Sequence, residues 1–308
     1  MYLVAAFLFA LNGVIAKAAL NTGFDPMHLT QLRNAGAMVL LVAYIALRHP
    51  DRFRISRREL PFLIAYGVIA FTLVQFLYFL TISRLNVGTG TLFAFLAPVL
   101  VALWLRFGRR QDVSNRIWLA IALTLIGLAM VAQIWSGFGL DVIGVIAGLL
   151  CAVALAIYWL LGESGQQHRD AVSLTMGGFI FASIAWAVIS PWWTFPWSAL
   201  SVTAEPLTAV TPGLPVWALM TWGVIMGTIA PFLLVLGSLR RIGAQRAGIV
   251  GTTEPLWAGV VAFLMLGETF DGIQILGGLI VLAGVIVAET SRRSGVAVTP
   301  GEFPQILD

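Results

Sequence analysis

Charge is what this chain has least of: 10% of its 308 residues are Asp, Glu, Lys or Arg, against about 25% in soluble domains. That shortage excludes an ordinary water-soluble globule. There is a single cysteine, Cys151, so no intramolecular disulfide can form, and its apolar surroundings read as those of a small packing residue. The three histidines, His28, His49 and His168, stand at segment ends or in loops. No nucleophile elbow, metal-spaced His/Glu pair or phosphate loop occurs, so neither an enzyme nor a bound metal or cofactor is expected. Without an ATP-binding module, any work done must draw on a gradient or on the substrate itself. The first apolar run has no basic stretch before it, and Asn12 and Lys17 stand where a secretory signal would place its cleavage region. A cleaved leader is therefore not expected.

What the chain has is apolar length. Hydrophobic residues make up 59% of it and the mean hydropathy is +0.94. Apolar segments lie at roughly 1–20, 28–47, 60–83, 88–106, 117–134, 141–163, 173–191, 216–239, 247–266 and 272–289, each near the ~20 residues a helix needs to span a bilayer. The expected fold class is an all-α membrane protein of ten transmembrane helices, with a disordered cytoplasmic tail at 291–308. The net charge of +4 does not point to nucleic acid, because the basic residues sit in short clusters between apolar runs, as topology signals do.

The chain also resembles itself. A shift of 157 positions lays Arg84, Pro98, Leu119, Leu125 and Gly127 onto Arg241, Pro255, Leu276, Leu282 and Gly284 without a gap. Such self-similarity marks a duplicated unit, here 1–135 and 136–290. Basic residues fall almost entirely in one set of loops: Arg48, Arg52, Arg54, Arg57 and Arg58, then Arg106, Arg109, Arg110 and Arg116, then Arg169, then Arg240, Arg241 and Arg246, then Arg292 and Arg293. The other set holds Arg84 with Asp25, Asp141, Glu205, Glu268 and Asp271. The bias puts both termini in the cytoplasm of a multi-pass inner (plasma) membrane protein. Five crossings per copy oblige the second copy to enter from the opposite side. Two inverted five-helix repeats provide mirror-related inward-open and outward-open states around one central site, which favours a carrier over a channel.

The run Thr253-Glu254-Pro255-Leu256-Trp257, continuing through Leu266-Gly267-Glu268 to Leu276-Gly277-Gly278 and Ala283-Gly284-Val285, resembles the signature of the EamA-type drug/metabolite transporters. The first copy repeats it as Ala97-Pro98-Val99 and Ile126-Gly127-Leu128, and Leu32-Arg33-Asn34-Ala35 matches a less specific feature. Phe107-Gly108-Arg109 departs from it, standing where the family often has Leu-Gly-Glu, which weakens any role for Glu268 as half of a symmetric pair. The resemblance implies a carrier of small metabolites with a central cavity, most like the YddG-type exporters of aromatic and other neutral amino acids. Efflux of lipophilic or cationic drugs is the alternative. The partners expected are a small-molecule substrate and the bilayer, with the chain a monomer or a homodimer.

Polar residues at mid-membrane depth are costly, so those present are candidates for function. Asn12, Gln75 and Tyr78 offer donors and acceptors to a zwitterion without a fixed charge, and Thr91, Thr228, Thr252 and Thr253 are further candidates. Each could equally bridge helices. Phe79, Phe95, Tyr158, Trp159, Trp186 and Trp257 lie within segments, where rings either line a cavity or meet lipid. Pro98 and Pro255 remove a backbone donor at equivalent positions and are candidate hinges, disturbing the carbonyls of Ala94 and Gly251. Of the intramembrane charges, Lys17 and Arg33 are expected to snorkel to the outer end with Asp25 as counter-charge. Glu254 lies deeper and is a candidate proton site. Gly144 with Gly148, and Gly223 with Gly227, have the spacing of internal helix packing.

Overall fold

A computed structural model describes residues 1–48, 55–110, 114–132, 141–165, 169–206, 213–231, 234–235, 250–251 and 253–291. Thr252, Arg240, Arg241, Arg246 and the 292–308 tail lie outside the described residues.

Helix α1 is Tyr2–Asn21 and α2 is Pro26–Arg48. A longer rod follows, in which α3 (Leu60–Tyr66) passes through a π-helical stretch, Gly67–Leu73, into α4 (Val74–Arg84). The next rod is broken: α5 (Val87–Ala94) and α6 (Ala97–Leu103) are separated at Phe95 and Leu96, and α6 ends in a π turn, Trp104–Gly108. Then come α7 (Arg116–Ala132), α8 (Val142–Gly165) and α9 (Ala171–Ile189). Two 3₁₀ turns, Trp192–Thr194 and Trp197–Ser201, lead to α10 (Val216–Val224), which runs into a π turn at Ile225–Ile229. Helices α11 (Glu254–Leu266) and α12 (Gly272–Ser291) are the last described elements. Among the described residues the only β-pairing is an isolated bridge between Thr203 and Pro215.

Among the described residues, six helical rods are long and apolar enough to cross a membrane, and four shorter apolar helices accompany them. Their outward faces carry side chains that water would not tolerate in such number: Val188 is 76% exposed, Leu264 66% and Leu125 62%. A bilayer supplies the solvent these faces match, and the protein is a multi-pass membrane protein.

Pro98 and Pro255 do not kink continuous helices. Each occupies the first turn of a new one, α6 or α11, where a missing N–H leaves no partner unsatisfied. Two further features recur at the spacing read from the sequence. The shift of 157 carries residues 68–72 of the first π-helical stretch onto 225–229 of the second, and Leu96 before α6 onto Thr253 before α11.

Helices α7 and α12 pack closely, because glycines remove the side chains that would separate them. A methyl group on Gly127 would stand 2.6 Å from the Gly277 carbonyl oxygen and 2.7 Å from the Val281 nitrogen, and one on Gly284 would meet the Ala120 carbonyl and Thr124 nitrogen at 3.0 Å. Rising residue numbers on one helix meet falling numbers on the other, so the pair is antiparallel. The shift of 157 turns the Gly127–Gly277 contact into the Gly284–Ala120 contact, so the two helices exchange places by a local two-fold.

Ion pairs mark the two ends of the bundle. Arg84 meets Asp141 at 3.4 Å at one end, and Arg169 meets Glu59 at 2.9 Å at the other. Gly144 packs on Arg84 and Leu85, and Gly148 on Phe93 and Thr81, so that stripe faces inward as its spacing implied.

Candidate functional site

The site is organised by α2, three of whose buried side chains each donate to a backbone carbonyl on a different element. Gln31 Nε2 donates to the Ser190 carbonyl at 2.6 Å, just past the end of α9. Asn34 Nδ2 donates to the Phe71 carbonyl at 2.9 Å, and Arg33 Nη2 to the Gly227 carbonyl at 2.7 Å. Phe71 and Gly227 lie in the first and second π-helical stretches. A π turn widens the helix and loosens its hydrogen-bond ladder, which leaves carbonyls for side chains to claim. The adjacent residues Arg33 and Asn34 therefore hold one such carbonyl in each half of the chain.

Arg33 is 7% exposed. Its Nη1 donates to Asn12 Oδ1 at 2.5 Å, and its guanidinium lies 5.2 Å from the centroid of the Phe79 ring. Asn12 in turn is pressed against Gly227, whose missing side chain leaves room for the amide. On the neighbouring face, the Tyr78 hydroxyl lies 3.2 Å from Thr91 Oγ1, which donates to the Val87 carbonyl at 2.8 Å. Tyr78 also approaches Gly13 of α1, where a methyl group would stand 2.6 Å from the hydroxyl. Thr228 Oγ1 bonds the Gly223 carbonyl at 3.0 Å across the second π turn. Asn12, Arg33, Tyr78, Phe79, Thr91 and Thr228 thus form a buried polar centre drawn from α1, α2, α4, α5 and the end of α10. The Tyr78 hydroxyl lies within electrostatic range of both Arg33 and Glu254.

Other candidates lie elsewhere. Tyr158 joins an aromatic group on α3, α8 and α9, hydrogen-bonded to Tyr66 with ring centroids 5.8 Å apart and 6.0 Å from Phe71. Trp159 packs on Ala97 and Val101 of α6. Trp186 is buried against Phe76 at 5.8 Å, with its indole N–H unpartnered. Gln75 is half-buried with an unpartnered Oε1, and Phe95 is half-buried at the break between α5 and α6. Trp257 is 40% exposed and meets Phe7 edge-on, at the outside of the bundle. Glu254 opens α11, half-buried, with Thr253 before it.

Two expectations from the sequence are corrected here. Arg33 does not snorkel; it turns inward to the carbonyl that the second π turn leaves open. Lys17 does not pair with Asp25 either; Asp25 Oδ1 accepts from the Met27 N–H at 2.7 Å at the start of α2. The Lys17 ammonium instead donates to the carbonyls of Ile82 at 2.5 Å and Leu85 at 3.0 Å, where α4 ends. Glu268, past the end of α11, accepts from the Val87 N–H at 2.8 Å, where α5 begins. Burial raises its carboxyl above the ordinary value, opposed by the Val87 hydrogen bond and by Lys17.

The profile of the EamA-like transporter family matches residues 1–133 and again 142–290. The chain belongs to the EamA-like transporter family. Its EamA-like relatives match over nearly full length. An uncharacterized inner membrane transporter, YicL, of Salmonella typhimurium is 26% identical over 94% of this chain and 94% of its own. The threonine/homoserine exporter RhtA of Escherichia coli (strain K12) is 25% identical over 94% of this chain and 92% of its own. Among solved structures, one crystal structure at 18% identity has a TM-score of 0.55, covering 94% of this chain and 99% of that one, and shows the same fold.

Proposed function

We propose that this EamA-like transporter exports neutral amino acids across the inner membrane, carrying them by alternating access past the buried centre around Asn12, Arg33 and Tyr78. The observation that carries the reading is that centre itself: hydrogen-bonding side chains from α1, α2, α4 and α5 converge in an otherwise apolar bundle. The likeness to RhtA, a threonine/homoserine exporter, supports export as the direction and small neutral amino acids as the substrate class. Small hydroxylated substrates are favoured over aromatic ones. Tyr158, Trp159 and Trp186 pack in three separate groups rather than around the polar centre. A buried guanidinium disfavours lipophilic cations.

The architecture we assign is two inverted repeats of five crossings, 1–135 and 136–290, with both termini in the cytoplasm. It is supported by the exchange of α7 and α12 contacts under the 157-residue shift, and by the double match to one family profile. The breaks at Pro98 and Pro255 would serve as hinges. Glu254, at the head of α11, is assigned a coupled proton, because an ionisable side chain within a membrane helix is a functional-site candidate by default.

The test is counterflow of radiolabelled threonine, homoserine, phenylalanine and methionine in proteoliposomes, with and without a pH gradient. Saturable exchange of the small neutral amino acids supports the reading, and their failure to move while a lipophilic cation does overturns it. Glu254→Gln is expected to exchange substrate normally but lose stimulation by the gradient. Stimulation that survives the change would remove Glu254 as the proton site.

A further inference from the structure

We infer that the guanidinium of Arg33 is the anchor for the carboxylate of the transported substrate, which confines transport to molecules carrying an anionic group. The inference rests on the transport reading above and adds the recognition chemistry. An ionised side chain in the dry interior of a bundle is costly unless its charge is matched. Arg33, 7% exposed, is surrounded by neutral groups: the Asn12 amide, the Gly227 carbonyl, the Phe79 ring and the Tyr78 hydroxyl. Among the described residues no carboxylate pairs with it. Its hydrogen-bonding is also incomplete, because the buried Nε–H has no partner. A guanidinium presents its donors as a planar fork that fits a carboxylate, and here Nη1 holds an amide oxygen, Nη2 a backbone carbonyl and Nε–H nothing.

The groups nearby suit an exchange of partners. Asn12 Oδ1 already sits where a carboxylate oxygen would accept from Nη1. Gly223 faces the same side: a methyl group there would stand in ordinary contact with Asn12 Oδ1 at 3.7 Å and Arg33 Nη1 at 4.0 Å. A substrate carboxylate would take over the Asn12 position at Nη1, while the unpartnered Nε–H on the opposite flank leaves the charge further uncompensated. Held only by the Asn12 and Gly227 oxygens, the guanidinium stays in place when the site is empty.

The experiment uses the full chain in proteoliposomes preloaded with threonine, with radiolabelled threonine outside and competitors added. Threonine and 2-hydroxy acids of similar size should compete, whereas threoninol, which lacks the carboxylate, should compete roughly 10- to 100-fold more weakly, the range expected for losing a charge-assisted hydrogen-bonded pair. Arg33→Lys, which keeps the charge but not the fork, should raise the half-saturating threonine concentration about tenfold. Arg33→Gln should abolish exchange while retaining a monodisperse, cooperatively melting protein. Equal competition by threoninol, or an unchanged half-saturation in Arg33→Gln, overturns the anchor and leaves amino-acid transport standing. If threonine does not move but 2-hydroxy acids exchange in an Arg33-dependent way, the amino-acid reading fails and the anchor stands. If no carboxylate moves while a lipophilic cation does, both fail.

Discussion

Lys17 and Glu268 bind opposite sides of one corner: Lys17 caps the carbonyl end of α4 and Glu268 caps the amide end of α5, two residues apart in the chain at Leu85 and Val87. Each charge complements the dipole of the helix end it meets. Lys17→Met keeps the stem and removes the ammonium. The expected loss is about 2 kcal/mol, in the range for hydrogen bonds to charged groups, read as a lower melting temperature by tryptophan fluorescence in detergent. An unchanged melting temperature would mean that water replaces the ammonium at no cost.

Glu268 gives the corner a pH dependence whose sign follows from burial. Its carboxyl is raised from 4.5 chiefly by desolvation, so the folded state holds the proton more tightly than the unfolded one. Stability from this group is full below 4.5 and declines as pH rises above it through the folded value. Glu268→Gln still accepts from Val87 but does not ionise. Thermal melts from pH 4 to 8 should lose part of their downward slope in the variant, and an identical slope would assign it to other groups.

The α7–α12 contact predicts overpacking. Gly127→Ala and Gly277→Ala each drive a methyl group into a facing backbone carbonyl, at 2.6 and 2.7 Å respectively, and each should destabilise by about 1–3 kcal/mol. Gly272→Ala, with no described atom within 4 Å of the new methyl, is the matched control and should be neutral. Thermal unfolding of the three variants compares them directly.

Gly227 and Gly223 separate packing from room at the polar centre. A methyl group on Gly227 collides with the Asn12 amide, so Gly227→Ala should displace Asn12 from Arg33 and lower threonine exchange at least tenfold. Gly223→Ala has 3.7 Å of clearance. It should leave stability unchanged and raise the half-saturating threonine concentration, since the methyl group stands against Asn12 Oδ1 and Arg33 Nη1, where the carboxylate would be held. Exchange kinetics paired with melting temperatures distinguish the two effects.

The apolar helices and the break positions were readable because bilayer thickness and proline chemistry act on local sequence. Pro98 and Pro255 show the limit: the sequence located the interruption, but whether a helix kinks or restarts depends on the turn around it. Arg33 was misread for a related reason. Its inward turn is set by the Gly227 carbonyl, whose helical partner four residues on, Pro231, has no N–H to give; the proline marks the open carbonyl but not which side chain claims it. Position within a segment does not say which face of a helix a ring occupies. Tyr78 and Phe79 are neighbours on α4 and meet the polar centre, whereas Tyr158 and Trp159 turn to different groups.

The stretch Gly67–Leu73 precedes Tyr78 and Phe79 on the same rod. A π turn holds one more residue than the α-helical turn it replaces, and one residue is about 100° of rotation around a helix axis. The surplus residue therefore sets the azimuth at which Tyr78 faces Thr91 and Phe79 underlies Arg33. Deleting one residue between 67 and 73 would leave the rod's length and apolar character nearly as they are, yet swing both rings about a quarter-turn out of aim. The direction in which the recognition surface points is written upstream of it, as a phase rather than as a residue.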